Sequence, residues 1–343
     1  MSGPSTKHAW RVCGYFIGLL SGVVSVITNL TGGAWTLAPL AVLGAMELAD
    51  LLTKEKRGDQ PPVSDRLADI VLLAHAAVHT AAVFTLLYGV HSGTLNRAYI
   101  WYAAIGTGLN SGWSGIVCAH ELIHRSSRWL RGLGAWNLLL VNYGHFRVEH
   151  MVHHRLVGTR QDPATARRGE SIYFFVLRTI PQQFWQALTT EAARLRRRAA
   201  LPYGPANFVV LVTALESAFC VGLYVVGGPR VLQAHLVQAL FAILQLEIIN
   251  YVEHYGLERN AGEALQPHHS WGTDKMVSRF SLLELVRHAD HHLHASRPYT
   301  QLVSHADSPH LPGGYWGMTW LSLLPPLWFR VIDPRIPRHD GES

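Results

Sequence analysis

Twenty-one histidines stand in a chain of 343 residues, and most of them fall into four short clusters. The first is His120-Glu-Leu-Ile-His124. On a helix, positions i and i+4 share a face, so both imidazoles can reach one metal ion. The second is Glu149-His150-Met-Val-His153-His154, preceded by His145. The third is the single His254 within Asn-Tyr-Val-Glu-His-Tyr-Gly-Leu (250–257), and the fourth is His288-Ala-Asp-His291-His292, with His294 two residues on. Nine neutral imidazoles exceed what one ion takes, since a zinc site holds three or four protein ligands. Two metals with four or five nitrogens each is the natural count. Imidazole suits zinc, copper, iron and nickel, so ligand type alone does not choose among them. Iron is favoured because a redox metal gives a reason to set the site against an apolar interior.

Two other chemistries compete. His-Glu-x-x-His is also a zinc-protease signature, with Glu121 as general base. No x-x-Gly-x-x-His follows His124, and that reading leaves seven histidines idle. A metal transporter would carry its site near the bilayer midplane, whereas these clusters fall just beyond apolar segments.

Those apolar segments set the frame. Residues are 49% hydrophobic and 15% charged, well below the roughly 25% charge of soluble domains, which points to a membrane as solvent. Six stretches reach the roughly 20 residues a crossing needs: 12–30, 35–52, 67–90, 98–119, 208–227 and 231–250. The first is too long, and too plainly followed by a second, to be a cleaved signal peptide. Short connectors at 31–34, 91–97 and 228–230 join spans into hairpins. Lys7, Arg11, Lys54, Lys56, Arg57, Arg66 and the run Arg194, Arg196, Arg197, Arg198 lie on one side, against only Arg97 and Arg230 on the other. By the positive-inside rule both termini and the segments 120–205 and 251–343 face the cytoplasm, as in a bacterial inner membrane. The net charge of +6 suits a membrane surface better than nucleic acid at this hydrophobicity. Cys13, Cys118 and Cys220 form no Cys-x-x-Cys pair, so neither a disulfide framework nor a thiolate metal site is supported. Segments 132–144 and 315–331 are apolar but short or proline-broken. They read as interfacial, with Trp136, Trp316, Trp320 and Trp328 at headgroup depth. The last few residues read as a loose tail. The expected fold is thus one all-α integral membrane domain over 1–343, with six transmembrane helices and a cytoplasmic histidine-rich cap.

Topology then tests the clusters independently. The spans 98–119 and 231–250 both run outward to inward, so His120 and His254 emerge on the cytoplasmic side, where the second and fourth clusters also lie. All four meet on one face, although lysine and arginine alone set the orientation.

These residues resemble the membrane-bound alkane 1-monooxygenase family, part of a histidine-box superfamily with xylene monooxygenase and fatty-acyl desaturases. The likeness runs through His-Glu-Leu-Ile-His (120–124), His-Phe-Arg-Val-Glu-His (145–150) and Asp-Pro-Ala-Thr-Ala-Arg-Arg-Gly-Glu-Ser-Ile-Tyr (162–173). It continues through 250–257, His-His-Ser-Trp (268–271), Leu-Val-Arg-His-Ala-Asp-His-His-Leu-His (285–294), Trp328-Phe-Arg and Asp333-Pro. The string at 250–257 is the most specific and separates the hydroxylases from ordinary desaturases.

The resemblance implies two non-haem iron ions held by nine ligands: His120, His124, His150, His153, His154, His254, His288, His291 and His292. Glu121, Glu149, Asp162, Glu253, Arg287 and Asp290 then read as groups that orient metal-bound imidazoles, with Glu121, Glu253 and Asp290 the candidate catalytic-site carboxylates. His145, His268, His269 and His294 read as hydrogen-bonded helpers. The implied reaction is O2-dependent hydroxylation of a terminal methyl group, an n-alkane giving a primary alcohol. Aryl-methyl hydroxylation and fatty-acyl hydroxylation or desaturation are the alternatives. The chain carries no flavin or NAD fingerprint and no cysteine cluster, so electrons must come from a separate chain. The family implies a rubredoxin or a [2Fe–2S] reductase, and a basic cytoplasmic face suits an acidic carrier.

One feature departs from the family pattern. Two residues, Met151 and Val152, separate His150 from the His153–His154 pair where the alkane hydroxylases have three. One residue rotates a helix by about 100°, so either the backbone compensates or the first ligand is displaced. His75 and His79 form a decoy i, i+4 pair roughly 15 Å or more inside the span by helix rise, and read as packing or cavity-lining. Asp50, Asp69 and Glu247 are ionisable groups at or near span ends, where such groups are rarely idle. The small residues Gly106, Gly108, Ser111, Gly112, Ser114 and Gly115 could leave room for substrate, with Trp113 as a chain-length stop, or serve plain helix packing.

Overall fold

The computed structural model describes residues 6–58 and 63–337, the side chains of 6–9 excepted. The charge at Lys7 and the expected C-terminal tail lie outside the described residues. Among those described, all regular structure is helical, and pairing of extended chain is limited to the isolated bridges Glu55–Lys275 and Gly272–His310.

Four helices are long and apolar enough to cross a membrane: α1 (Trp10–Thr31), α2 (Gly33–Leu52), α3 (Asp65–His91) and the 47-residue Phe208–His254. Local chemistry explains their ends. Ser64 caps α3 by accepting from the Leu67 amide, and Asp65 sits in the first turn against the positive end of the helix dipole. The 27 residues of α3, at about 1.5 Å each, span about 40 Å, more than the roughly 30 Å of hydrocarbon. The helix Phe208–His254 is two in one. Gly228 lies at φ 76°, ψ 179°, a conformation open to glycine, and Pro229 restarts the helix without needing an amide partner. Sequence spans 208–227 and 231–250 meet at this break.

The remaining span, 98–119, appears as a composite rod, α4. It is built from Ile100–Asn110, a π-helical stretch Ser111–Ile116, and Val117–Ile123. The extra residue in a π turn re-aims the face beneath it. After α4 come α5 (Arg128–Leu139), α6 (Phe146–Leu156), α7 (Ile172–Arg196) and α8 (Phe208–His254). The short helices α9 (Met276–Ser281), α10 (His288–Leu293), α11 (Tyr315–Ser322) and α12 (Pro325–Ile332) complete the chain.

The glycines of α4 pack helices. A Cβ on Gly108 would lie 2.5 Å from the Gln238 carbonyl oxygen, and one on Gly112 2.6 Å from the Gln245 Cβ, so α4 and α8 touch at backbone distance. A Cβ on Gly115 would run into the His79 ring at 2.6 Å. The room expected for substrate is therefore mostly filled. Trp113 is buried against Trp316, ring centroids 3.5 Å apart. Polar bonds add to the packing, as is usual between membrane helices: Gln238 to Ser111 at 2.8 Å, Asn29 to Thr107 at 3.2 Å, and His75 Nδ1 with Ser114 Oγ at 2.7 Å. His79 faces Asn137 at 3.2 Å, so both decoy histidines are packing groups away from the other clusters. Outward faces carry exposed Leu48, Val225 and Val226, the inverse of a water-soluble surface.

The last third of the chain is tied down to the first helices. Asp50 accepts from the Ser278 amide at 2.9 Å and hydroxyl at 2.8 Å. Buried Glu284 takes Arg279 at 2.7 Å and the Tyr15 hydroxyl at 3.0 Å. These bonds fix the segment leading into α10. The interfacial expectation for 315–331 holds only in part. Trp320 is exposed, but Trp316 and Trp328 are buried at 7% and 0% exposure, because α11 and α12 fold under the cluster-bearing helices.

Candidate metal centre

The nine histidines gather into two groups. His120, His124, His150, His154 and His291 form one, and His153, His254, His288 and His292 the other, with the candidate ligand atoms of each group within 4.8 Å of one another. Two nitrogens on opposite sides of one cation at about 2.1 Å stand about 4.2 Å apart, so small ring movements would bring each group onto one ion. Inside each group Nε2 faces Nε2. His120 meets His291 at 2.9 Å and His150 meets His124 at 2.9 Å and His154 at 3.0 Å. In the other group His288 meets His254 at 3.1 Å and His292 at 2.9 Å.

Electrostatics keep these rings ready for metal. Burial lowers His124 to about 4. Burial first, and neighbouring imidazoles second, hold His120, His150, His154, His288, His291 and His292 well below the ordinary histidine value. Neutral rings offer a lone pair each, and converging lone pairs repel until a cation lies between them. A donor set of nitrogens alone suits iron, as it also suits zinc, copper and nickel.

The way helices distribute the ligands follows from their pitch. On α6, His150 and His154 are one turn apart and serve the five-member group, while His153 between them turns to the four-member group. On α10 the same pattern is reversed: His288 and His292 serve the four-member group and His291 the five-member one. At about 100° per residue, i+4 returns to within about 40° of i, whereas i+3 falls about 60° to the other side. With the two-residue gap after His150, an unbroken helix points His150 and His154 at one group and His153 at the other.

Two carboxylates touch the grouped rings. Asp162 Oδ2 accepts from His153 Nδ1 at 2.9 Å and from Thr165 Oγ1 at 2.6 Å. Burial alone would raise Asp162, but His153 beside it, with these hydrogen bonds, holds it below the usual carboxylate value. An ionised Asp162 fixes the proton of His153 on Nδ1 and leaves Nε2 for metal. Glu253 Oε2 stands 3.3 Å from His288 Nε2. The hydroxyl of fully buried Tyr315 lies beside it and donates to the Trp271 carbonyl at 3.5 Å.

Glu121 and Asp290 serve elsewhere. Glu121 accepts from the Tyr299 amide at 3.1 Å and pairs with Arg125 at 3.3 Å, and burial raises it to about 7 despite that arginine. Asp290 gathers Arg297 at 2.6 Å, His305 at 2.8 Å, His294 at 3.1 Å and the Val303 amide at 3.1 Å. Both brace the backbone that carries the histidines. Arg287 does the same, bonding Asp274 at 3.3 Å and the Leu302 carbonyl at 2.6 Å. Glu149 is buried, and burial holds it well above the usual value. His145 packs against the rings of Tyr143 and Phe184, and His268 and His269 lie with Glu263 in a separate group. Tyr315 escaped sequence reasoning because it opens an apolar, tryptophan-rich stretch with the look of an interface.

Beside the imidazoles lies a narrow cavity of ≈ 30 Å³, walled by Gly112, Ile116, Val117, Phe146, Leu246 and Leu285 and reaching His120, His150, His153 and His288. Ile249, Asn250 and Glu253 complete its wall.

The fatty acid desaturase family profile matches residues 93–322. The chain is 39% identical over 276 residues to alkane 1-monooxygenase 1 of Pseudomonas aeruginosa, covering 79% of this chain and 71% of that protein. It is 34% identical over 328 residues to alkane 1-monooxygenase of Ectopseudomonas oleovorans, with 90% and 80% coverage. It is also 28% identical over 308 residues, with 88% and 82% coverage, to the xylene/toluene monooxygenase hydroxylase component of Pseudomonas putida.

Proposed function

Because this chain belongs to the fatty acid desaturase family and, within it, to the alkane 1-monooxygenases, we propose that it hydroxylates the terminal methyl group of an n-alkane to a primary alcohol at a di-iron centre. The observation that carries the reading is the pair of adjoining imidazole groups, five and four, at the head of an apolar helix bundle. His120, His124, His150, His154 and His291 would hold one iron, and His153, His254, His288 and His292 the other. Bound iron would supply O2 reduction and oxidation of the C–H bond. The overall reaction consumes O2, two electrons and two protons, placing one oxygen atom in the alcohol and the other in water.

The chain's own groups bind, orient and exclude water. Ile116, Val117, Phe146 and Leu246 would hold the chain end against the imidazoles, and the same apolar wall keeps bulk water from the reacting carbon. Asp162 fixes His153, and Glu253 stands beside His288. Glu121 and Asp290 position the loops that carry the fourth cluster. The enzyme would cross the inner membrane six times, with α4 as one span and α8 as two, and its basic loops would set both termini in the cytoplasm. A separate rubredoxin or [2Fe–2S] protein would deliver the electrons at the cytoplasmic face.

Whole cells expressing the chain with a matching reductase should be offered octane, hexadecane, xylene and a fatty acid, and products read by mass spectrometry. Terminal alcohols from the alkanes support the proposal. A benzylic alcohol alone would shift the assignment to aryl-methyl hydroxylation, and an alkene would shift it to desaturation. No product, with zinc and no iron in the purified protein, would refute the oxygenase reading.

A further inference from the structure

Glu247 lies within the span 231–250, is fully buried, and belongs to neither histidine group. An ionisable group inside a membrane span is rarely idle. Three donors converge on it. The Tyr143 hydroxyl donates to Oε1 at 2.8 Å, and Gln183 Nε2 and Asn250 Nδ2 donate to Oε2 at 2.8 and 3.2 Å. Tyr143, from the connection between α5 and α6, and Gln183, from α7, are buried. Gln183 is fixed in turn, because its NH2 also donates to Thr179 Oγ1 at 2.8 Å. The carboxyl is thus held from two neighbouring elements while it holds Asn250 on its own helix.

Asn250 lines the ≈ 30 Å³ cavity that reaches His120, His150, His153 and His288. Glu253, 3.3 Å from His288, is the cavity's carboxylate, and the remaining wall is apolar. Asn250 is therefore the one neutral polar side chain in the lining that belongs to neither histidine group. Its NH2 is committed to Glu247, which leaves the carbonyl oxygen as the end it can offer elsewhere. Among the described residues, none donates to that Oδ1. A volume of ≈ 30 Å³ has room for about two water-sized groups, the size of a terminal carbon and one oxygen. Oδ1 only accepts, so it favours a chain end that carries a proton to donate. A methyl end has none, whereas the hydroxyl of a primary alcohol has one.

We propose that Asn250 is the residue by which this cavity distinguishes a hydroxyl end from a methyl end. Its Oδ1 accepts from the hydroxyl of a primary alcohol, and Glu247 is the positioning residue that keeps Oδ1 turned to the cavity. No covalent bond forms or breaks in this recognition. The proposal deepens the hydroxylase reading and rests on it, because it names how the site holds the alcohol which that reaction forms.

The test measures binding without turnover. Radiolabelled 1-octanol and 1-fluorooctane are bound to the full chain in lipid nanodiscs, with empty nanodiscs subtracted. Fluorine stands where the hydroxyl would but has no proton to donate, so the octanol-to-fluorooctane affinity ratio isolates the hydrogen bond, and comparing that ratio between proteins cancels partitioning into lipid. N250L keeps the volume and removes the acceptor. It should lower the ratio about three- to tenfold, as the loss of one neutral hydrogen bond predicts, with fluorooctane affinity and iron content at the wild-type level. N250A removes the same acceptor without crowding the wall and should lower the ratio equally. E247Q should move the ratio in the same direction, because a glutamine can turn its own NH2 towards Asn250 and release the amide. An unchanged ratio in N250L and N250A, or affinity for both ligands lost by the same factor, would overturn the assignment. A ratio that depends on Asn250, in a chain that hydroxylates nothing, would leave the alcohol site standing and sink the hydroxylase reading instead.

Discussion

Asp162→Asn should weaken one metal of the pair and spare the other. Asp162 is buried, ionised and 2.9 Å from His153 Nδ1, while its carboxylate also accepts from Thr165 at 2.6 Å and the Ala164 amide at 3.3 Å. Asparagine keeps the volume but loses the charge. If its oxygen faces the ring, a charge-assisted hydrogen bond becomes a neutral one of roughly half the strength. If its NH2 faces the ring, His153 must take the other tautomer and carry its proton on the nitrogen the metal needs. Either way the four-member group loses a well-oriented ligand, whereas the five-member group contains neither His153 nor Asp162. Removing such an orienting partner typically costs 10–100-fold in metal affinity, or about 1.4–2.8 kcal/mol. The assay is chelator titration of 57Fe-loaded protein, with Mössbauer spectra resolving the two iron populations as they are lost. One population should leave at a chelator concentration roughly 10–100-fold lower than in wild type, and the other should be unmoved. Loss of both together, or of neither, would refute the division of the histidines into two independent sets.

Four further outcomes follow. His254→Ala should abolish hydroxylation and lower iron content in whole-protein metal analysis, because the four-member group falls to three ligands. His75→Ala should keep its iron but lose about 1–3 kcal/mol of stability, read as a lower Tm, because Ser114 Oγ and the Tyr15 carbonyl lose partners at 2.7 and 3.0 Å inside the bundle. Gly112→Ala puts a Cβ 2.6 Å from the Gln245 Cβ. It should cost about 1–3 kcal/mol by forcing α4 from α8, with Tm falling more than in the same change at Gly132, where nothing lies within 4 Å of the added atom. Stripping the metal should itself lower Tm, since a ligand at 100 times its Kd stabilises by about 2.7 kcal/mol, and adding ferrous iron back should restore it.

Much of the site was legible because helix pitch is a local property. His120 and His124 at i, i+4 announce a shared face without any tertiary knowledge, and the length of apolar runs locates helices such as α3 nearly residue for residue. What could not be read is the non-local part. His153 and His154 are neighbours in the chain, yet they belong to different groups because α6 lies between two sets of facing nitrogens contributed by other helices. No pattern along the chain assigns Tyr315 to Glu253, or separates buried Trp328 from exposed Trp320 within one apolar segment. The glycines of α4 posed the same difficulty: a small side chain leaves space, and only the opposite helix decides whether that space is filled. Gln238 and Gln245 fill it. The 25-residue α7, with Pro181 inside, was hidden because its composition is too mixed for a span and its pattern was read as a connecting segment.

The most direct test of the central claim is isotopic. Purified, iron-loaded protein supplied with octane, reduced carrier and 18O2 should give 1-octanol carrying one 18O atom, with two irons per chain and the second 18O atom in water. Octanol whose oxygen comes from solvent, or an octene with no oxygen incorporated, would contradict the account.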